Sequence, residues 1–386
     1  MPYRFDQTPN RRLSSAKWTW FPKDVLPMWV ADMDFSAPPA ILKALQTYAA
    51  HGDLGYSLPS RKLYEAIATR LYKLYGWNVS ADTIVAVPGV NSGYTFAARA
   101  FCTSKRGYLI QPPVYNEFHE TRRKTGVPQL ESPLVEKIDG NRLEYEVDFD
   151  AFQRAVKKAN IFLLCNPHNP VGRIYSPAEL TRMAEICLEN NVLIVSDEIH
   201  SELLLDNHGF HPLASLSPEF EEQTITLISA SKAFNVPGLF CAFAIIPNQK
   251  LREQYAETVL KMGVHVSSTG LVAAQSAYAG RCDGWLKALR KYLTSNRDFV
   301  IDYVTKHMPG VRITVPQATY LTWLDFTPLD LQPSPYDFFF EKARVALVDG
   351  ILYGENGRGH VRLNFGTSRK ILKQGLDRMN RALHSR

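Results

Sequence analysis

Short apolar runs alternate with stretches of helical periodicity through the middle of the chain. Residues 61–75 carry apolar side chains at positions 63, 67, 71 and 74, which predicts an amphipathic helix. Several runs are continuously apolar, which is typical of strands covered on both faces. These runs span residues 84–87, 107–110, 161–164, 192–195, 224–228 and 240–246. Alternation of strands and helices over about 200 residues predicts an α/β fold with a mostly parallel central sheet covered by helices.

The C-terminal part of the chain has a different pattern. A long amphipathic helix is predicted at residues 283–307, and short strands and helices follow it. The strands are predicted at 311–315, 320–324 and 360–363, and the helices near 335–343 and 368–383. This mixture predicts a smaller α+β domain. We therefore expect a large domain at residues 46–282 and a small domain formed by residues 1–45 and 283–386.

Composition and charge exclude several classes of protein. With 45% apolar and 21% charged residues in 386, the chain has the composition of a globular protein rather than a disordered one. The net charge of +6 is small and its basic clusters are short and scattered, so no nucleic-acid partner is expected. No stretch of about 18 apolar residues exists to span a membrane.

The five cysteines and the N-terminus indicate the cellular setting. The cysteines are odd in number and widely spaced, without a C-x-x-C pair, so neither a disulfide framework nor a zinc site is expected. Residues 1–6 lack the apolar run of a signal peptide. A cytoplasmic location and no metal are therefore predicted.

Three polar segments follow three of the predicted strands. They are Cys-Asn-Pro-His-Asn-Pro-Val-Gly at 165–172, Ser-Asp-Glu-Ile-His at 196–200 and Ser-Ala-Ser-Lys-Ala-Phe at 229–234. In parallel α/β sheets, sites form where strands end, so these segments should converge. The segments supply a lysine, an acid and an amide, and this combination suggests pyridoxal phosphate as the cofactor. The lysine would form a Schiff base, the acid would keep the pyridinium nitrogen protonated, and the amide would bond the phenolic oxygen.

The ordered set N-P-x-N-P-x-G, D-E-I-x and S-x-S-K resembles the fold-type I pyridoxal-phosphate enzymes of the class I/II aminotransferase superfamily. Within it, the chain most resembles the carbon–sulfur lyase (cystathionine β-lyase) branch. The segments that carry this second resemblance lie at residues 27–35, 54–56, 197–200, 234–239 and 361–364. The resemblance implies a homodimer with active sites shared between subunits.

The resemblance also assigns roles to individual residues. Lys232, Asp197 and Tyr115 match the catalytic lysine, the carboxylate at the pyridinium nitrogen and the aromatic ring that stacks on the cofactor. Arg362 matches the fork that holds the substrate carboxylate, and Ala31 belongs with it and Tyr115 in the substrate site. The implied cofactor-binding set is Tyr56 (reaching the neighbouring subunit), Val90, Asn91, Tyr115, Asn169, Asp197, His200, Ser229, Ser231 and Lys232.

Two positions depart from the broader aminotransferase pattern. His200 stands where many aminotransferases have a tyrosine that donates to the phenolic oxygen, and Phe240 stands where many have an arginine that binds phosphate. We therefore expect the phosphate to depend on main-chain amides, hydroxyl groups and Tyr56. Near the substrate entrance, Gln317-Ala318 replaces a pattern in which glycine often precedes the threonine, so the size of the substrate stays open.

The resemblance implies β-elimination from cystathionine or a cysteine S-conjugate, which yields pyruvate, ammonia and a thiol. Transamination is the alternative, because both reactions begin from the same cofactor-stabilised carbanion. A family member of this type binds a transcription activator, so a regulatory protein that binds pyridoxal phosphate and a protein partner is an alternative of a different class.

Overall fold

The computed structural model describes residues 3–9, 15–206 and 208–385 of the chain. Its α-helices are α1 Ala16–Thr19, α2 Pro39–His51, α3 Arg61–Tyr75, α4 Val90–Phe101, α5 Asn116–Thr125, α6 Phe149–Val156, α7 Pro177–Glu189, α8 Pro218–Glu222, α9 Ala230–Ala233, α10 Gln249–Lys261, α11 Ser268–Ser276, α12 Asp283–His307, α13 Pro335–Phe338 and α14 Arg369–His384. Its strands are β1 Leu26–Pro27, β2 Ile84–Val87, β3 Gly107–Ile110, β4 Gln129–Glu131, β5 Val135–Asp139, β6 Arg142–Glu146, β7 Ala159–Cys165, β8 Leu193–Asp197, β9 Thr224–Ile228, β10 Ala242–Ile245, β11 Arg312–Ile313, β12 Leu321–Asp325, β13 Val345–Ala346, β14 Val348–Asp349 and β15 His360–Asn364.

A seven-stranded sheet with the order β2-β10-β9-β8-β7-β3-β4 forms the centre of the larger part. Its strands pair in parallel except β10, which runs antiparallel to both β2 and β9. Leu163 belongs to the apolar core on one face and Phe162 and Leu164 to the core on the other. The continuous apolar runs arise because both faces of these strands are covered, and the predicted fold class is confirmed.

A second sheet has the order β14-β15-β12-β11-β6-β5 and is mostly antiparallel. Its β5–β6 hairpin comes from within residues 46–282 and joins β11 through a single pair, Ile313 with Arg142. The second sheet therefore draws strands from both sides of the predicted domain boundary near residue 282. The division into domains at that boundary stays a prediction.

Local caps fix the ends of helix α3, which the sequence predicts, and the start of helix α7. In α3, the Ser60 side chain accepts from the Leu63 amide, and Gly76 ends the helix in the left-handed conformation (φ 68°). In α7, Ser176 and Glu179 form a reciprocal capping box. The long helix α12 spans the predicted residues 283–307.

The predicted strand at residues 240–246 begins later than expected. Phe240 has a φ of 49° and ends a short 3₁₀ helix, Pro237–Leu239, so the strand starts only at Ala242. The predicted strand at 311–315 is likewise reduced to Arg312–Ile313. Among the described helices, none combines the length and the apolar character needed to cross a membrane.

Candidate active site

The candidate site lies where β7, β8 and β9 end. Because these strands are parallel and in register, Cys165 lies beside Asp197, and Asp197 lies beside Leu227. The polar segments that follow the three strands therefore meet at one edge of the sheet. They line a cavity of about 240 Å³ together with the N-terminus of α4.

Most of the residues singled out from the sequence lie in this cavity. Those that line it are Ala31, Val90, Asn91, Tyr115, Asn169, Asp197, His200, Ser229, Ser231 and Lys232. Arg362 lies directly behind the wall and donates from Nη1 to Oδ1 of Asn169 (3.2 Å). Tyr56 is the exception, because its side chain is 98% exposed and contacts the His265 ring at 5.7 Å instead.

Lys232 extends into the cavity from the short helix α9. Its Nζ donates to the carbonyl oxygen of Ala31 (2.7 Å), which also accepts from the Tyr320 hydroxyl (2.8 Å). Desolvation in the cavity, together with the charge of Arg362, lowers the pKa of Lys232 to about 8, although the carboxylates of Asp32 and Asp197 oppose the change. The amine is therefore partly neutral near physiological pH, as a general base must be.

Asp197 ends β8 and is buried, with 4% of its surface exposed. One of its carboxylate oxygens accepts from the Ile199 amide (3.1 Å). Burial raises the pKa of Asp197 to about 7, although that hydrogen bond and the charge of Lys232 oppose the rise. A positive charge beside Asp197 would lower its pKa again and restore the ionised carboxylate, so the residue is suited to bind a cationic group.

Hydrogen-bond donors collect at one end of the cavity. Helix α4 follows Gly89, which has no side chain to cap it, and the first residues of the helix, Val90 to Ser92, line the cavity, so their amides are left without a side-chain partner there. The Ser229 hydroxyl donates to the Cys241 carbonyl (2.6 Å), and the Ser231 hydroxyl lies within hydrogen-bond distance of it (2.7 Å). Amides at a helix N-terminus beside hydroxyl groups suit a phosphate or another anion.

Arg362, on β15, is buried and oriented from several directions. Its Nη2 donates to the Trp29 carbonyl (2.8 Å), and its guanidinium lies 5.4 Å from the centre of the Tyr353 ring. Among the described residues, its buried Nε has no hydrogen-bond partner. A buried guanidinium with an unused donor is suited to a carboxylate ligand.

Tyr115 and His200 complete the polar lining. The Tyr115 hydroxyl accepts from Nδ2 of Asn91 (3.4 Å), and burial raises its pKa to about 12. Burial lowers the pKa of His200 well below its usual value, helped by the charges of Lys232 and Arg362. Its buried Nδ1 has no hydrogen-bond partner within the described part of the chain. His200 is therefore neutral, with one ring nitrogen unused.

The main chain around Ala31 is held by side chains that are distant in sequence. Asn364 Nδ2 donates to the carbonyls of Val30 (2.6 Å) and Asp32 (2.7 Å). Asn235 accepts from the Met33 amide (3.0 Å) and donates to the Met33 carbonyl (2.9 Å). This network fixes the carbonyl to which Lys232 donates.

Glycine is required in the Asn-Pro motif at Gly172. Its φ is 77°, and a Cβ there would lie 2.5 Å from the Cβ of Pro316. Its carbonyl accepts from the amides of Gln317 (2.8 Å) and Ala318 (3.1 Å). The loop that carries Asn169 is therefore fixed against the segment leading to Tyr320, which bonds Ala31 from the other side.

Comparison with known proteins places this geometry in a family. The family described as aminotransferase class I and II matches residues 23–379. The chain belongs to the class I and II aminotransferase family. The resemblance predicted from its motifs is thereby confirmed.

The relatives of the chain include proteins with lyase names. The chain is 37% identical to cystathionine beta-lyase PatB of Bacillus subtilis over 93% of each chain. It is 32% identical to protein MalY of Escherichia coli over 92% of this chain and 90% of that one. The crystal structure of the pyridoxal-phosphate-bound carbon–sulfur lyase from Staphylococcus hominis superposes with a TM-score of 0.91 at 31% identity, covering 99% of this chain and 98% of that one.

Some residues that line the cavity were not assigned a binding or catalytic role from the sequence. The additional lining residues are Pro88, Gly89, Ser92, Cys165, Ile199, Pro237 and Phe240. The sulfur of Cys165 accepts from the Asn169 amide at 3.5 Å. Because Cys165 ends a predicted strand and immediately precedes the Asn-Pro motif, the sequence could have indicated its place in the site. The sequence could not have indicated the contact between Tyr320 and Ala31, because the two residues are 289 positions apart.

Proposed function

We propose that the protein is a pyridoxal-phosphate-dependent carbon–sulfur β-lyase that cleaves cystathionine or cysteine S-conjugates. The observation that carries the proposal is a small cavity that Lys232 and Asp197 line together, with Arg362 bonded to the lining residue Asn169 from behind. Relatives at 31–37% identity that are named cystathionine beta-lyase support elimination over transamination.

The donors and acceptors in the cavity fit pyridoxal phosphate. The α4 amides, with Ser229 and Ser231, would hold the phosphate, and Asp197 would accept from the ring nitrogen. Asn169 uses its Oδ1 for Arg362, which leaves its Nδ2 to donate to the phenolic oxygen. The unused Nδ1 of His200 offers a further polar contact near the ring. Tyr115 would pack against the ring face.

Lys232 would both hold the cofactor and move the proton at Cα. When bound, the cofactor supplies an electron sink that stabilises negative charge developing at Cα of an amino acid. The pKa of about 8 keeps a substantial fraction of the Lys232 amine able to accept a proton. The Ala31 carbonyl, fixed by Tyr320, supplies a hydrogen-bond acceptor that orients the amine when it is released.

Arg362 would bind the substrate through its α-carboxylate. Its contacts with Asn169 and Trp29 fix the plane of the guanidinium, and its Nε remains available for the ligand. A planar guanidinium donates two parallel hydrogen bonds to a carboxylate and would so set the orientation of Cα toward Lys232.

The overall reaction breaks the bond between Cβ and sulfur. The electron pair of that bond leaves with sulfur, which takes a proton and departs as the thiol. Water hydrolyses the remaining three-carbon fragment to pyruvate and ammonia. No external oxidant or reductant is consumed.

A pair of matched substrates tests the proposal. The purified protein, loaded with pyridoxal phosphate, should release thiol and pyruvate from a cysteine S-conjugate. The analogue in which a methylene group replaces sulfur should release neither, because it has no leaving group at Cβ. Equal pyruvate from both substrates, or none from either, would contradict a carbon–sulfur lyase.

Asp197→Asn is expected to shift stability and activity in opposite directions. Because burial raises the pKa of Asp197 to about 7, ionising it costs on the order of 4 kcal/mol of the folding free energy at pH 8. Without the cofactor, the asparagine variant should therefore have a melting temperature a few degrees above that of the wild type at pH 8. The shift per kcal/mol is small because the chain is large. Its kcat should fall by several orders of magnitude, since the partner of the ring nitrogen loses its charge.

The pH dependence of this stability difference follows from the sign of the pKa change. The pKa in the folded protein lies above the unfolded value, so the cost of the ionised Asp197 appears as pH rises from about 4 to 7 and is constant above that. Melting scans from pH 5 to 8 should show the advantage of the variant growing and then levelling. Glu185→Gln, on the exposed face of α7, is the control and should show no such trend. A pH-independent difference for Asp197→Asn would contradict the account.

A homodimer with shared active sites belongs to the same proposal. Tyr56 is almost fully exposed, and other exposed apolar side chains accompany it: Leu54 is 67%, Leu58 is 90% and Phe240 is 64% exposed. Phe240 also lines the cavity, so the exposed apolar surface extends to the cavity wall. A second copy packed there would cover this surface and bring its Tyr56 toward the phosphate.

Complementation between two defective variants tests this arrangement. Tyr56→Ala and Lys232→Ala should each have little activity. A hybrid dimer would contain one site with both residues intact, so an equal mixture that is unfolded and refolded together should recover about a quarter of the wild-type activity. Tyr72→Ala, which removes an exposed tyrosine on α3, is the control and should keep full activity. No recovery from a mixture that forms dimers would contradict sharing.

We also propose a cytoplasmic location. All five cysteines are unpaired thiols, and four of them are buried. A reducing compartment keeps such thiols in this form.

A further inference from the structure

A second cluster of ionisable side chains lies outside the cavity, on the smaller sheet. It consists of Glu136 on β5, Asp325 on β12 and His360 on β15, and one ligand atom from each lies within 4.8 Å of the others. Asp325 and His360 are directly paired across β12 and β15. Glu136 reaches them from the β5–β6 hairpin. None of the three has a role in the proposed reaction.

The hydrogen bonds of His360 leave one ring nitrogen unused. Its Nδ1 donates to the Arg358 carbonyl (3.1 Å), since a carbonyl can only accept. Its Nε2 is buried and has no hydrogen-bond partner among the described residues. In the neutral ring this nitrogen carries a lone pair, and it faces Glu136 Oε2 at 3.5 Å and Asp325 Oδ1 at 3.7 Å. Three possible ligand atoms therefore face one another, although Glu136 Oε2 also accepts from the Tyr145 hydroxyl and Asp325 Oδ1 also accepts from the Thr327 amide (2.7 Å).

The separations between these atoms fit a metal ion better than a shared proton. Hydrogen bonds between nitrogen and oxygen are typically 2.7–3.2 Å long, which is shorter than either distance. Ligand atoms about 2.1 Å from a tetrahedral ion lie about 3.4 Å from each other. The observed 3.5 and 3.7 Å are close to that value.

Each ligand is also held by further contacts. The Tyr145 hydroxyl donates to Glu136 Oε2 (3.0 Å), and Arg312 donates to Asp325 Oδ2 (2.9 Å). The Trp323 ring stacks on His360, with centres 5.2 Å apart and planes at 14°. Such outer contacts orient ligands at metal sites. Two carboxylates against one guanidinium leave a net negative charge, which favours a cation.

We propose that Glu136, Asp325 and His360 form a binding site for a divalent transition-metal ion, with Zn²⁺ as the representative, and water as the fourth ligand. Imidazole with carboxylates suits such an ion, whereas Mg²⁺ and Ca²⁺ prefer oxygen ligands alone. The ion would tie the β5–β6 hairpin to β12 and β15. Arg362 lies two residues from His360 on the same face of β15, so the ion would also stiffen the strand that carries the substrate-binding arginine.

Zinc titration of the cofactor-loaded protein tests the proposal after its metals have been removed with a chelator. Calorimetry should show one Zn²⁺ bound per chain through this site, and Zn²⁺ should raise the melting temperature. His360→Gln and Glu136→Gln should each weaken this binding more than about 100-fold, exceeding the usual loss from an outer contact. Glu136 is 31% exposed, so its variant should fold. The absorbance of the bound cofactor checks folding in both variants.

His208→Gln is the control, because His208 is an exposed histidine 4.0 Å from Asp206. It should bind Zn²⁺ as the wild type does. Binding that survives in both His360→Gln and Glu136→Gln would overturn the proposal. So would a wild-type protein that binds no Zn²⁺ at this cluster. This inference does not depend on the proposed function.

Discussion

Lys232→Ala is expected to abolish lyase turnover, with kcat reduced by at least about 10³-fold. In the proposed enzyme the amine of Lys232 both attaches the cofactor and accepts the Cα proton, and neither Tyr320 nor Ala31 can replace it, because neither has a side chain that serves as a base at that position. The variant should also lose the covalent attachment of pyridoxal phosphate. Borohydride reduction followed by mass spectrometry measures that attachment independently of turnover.

Lys250→Ala is the matched control, since Lys250 is an exposed lysine on α10. It should keep both the attachment and the activity of the wild type. A Lys232→Ala protein that still yields a borohydride-reduced cofactor adduct would show that another lysine holds the cofactor. Retained turnover would show that the proton is moved by another group.

Arg362→Gln is expected to reduce kcat/KM by about 10²- to 10³-fold, in line with losing one partner of a buried charge pair. Glutamine keeps a hydrogen-bond donor at the site but removes the charge and the fork that would bind the α-carboxylate. The cofactor should still bind, because Arg362 lies behind Asn169 rather than in the cavity lining. Steady-state kinetics and the cofactor absorbance together measure the two effects.

Arg358→Gln provides the control for Arg362. Arg358 is an exposed arginine near the start of the same strand and pairs with Glu355 (3.0 Å). Its loss should leave kcat/KM within a factor of about two, as for most exposed ion pairs. An Arg362→Gln enzyme with unchanged kcat/KM would mean that a different group binds the substrate carboxylate.

Much of the larger part of the fold could be predicted from the sequence because its signals are local. The strands of the parallel sheet are buried on both faces, so their apolar runs are continuous. Helix α3 has both its caps in the sequence, Ser60 before it and Gly76 after it. Parallel strands end at one edge of the sheet, so the segments after β7, β8 and β9 could be expected to converge.

The β5–β6 hairpin was not predicted, because its signal is weak. β5 is mostly exposed, and β6 buries only Leu143 and Tyr145 at alternate positions. Its place in the second sheet depends on one pair with the two-residue strand β11. Nothing local to residues 135–146 indicates that partner, which lies about 170 residues away in the chain.

The parts of the site that escaped prediction depend on contacts between distant segments. The segment around Ala31 is fixed by Asn235 and Asn364, which are 202 and 334 residues from the groups they bond. The cluster of Glu136, Asp325 and His360 draws one residue from each of three strands and leaves no motif at any fixed spacing. Tyr56 differs from these residues, because the family resemblance assigns it to the site of the neighbouring subunit. A single chain therefore leaves its side chain away from the cavity.

Turnover without a keto acid is the measurement that tests the proposed function most directly. The cofactor-loaded protein is incubated with cystathionine in the absence of any keto acid, and pyruvate and thiol are followed together. A carbon–sulfur β-lyase predicts equal amounts of both products, sustained far beyond the number of active sites. A single turnover that stalls and resumes only when a keto acid is added would contradict it and identify an aminotransferase.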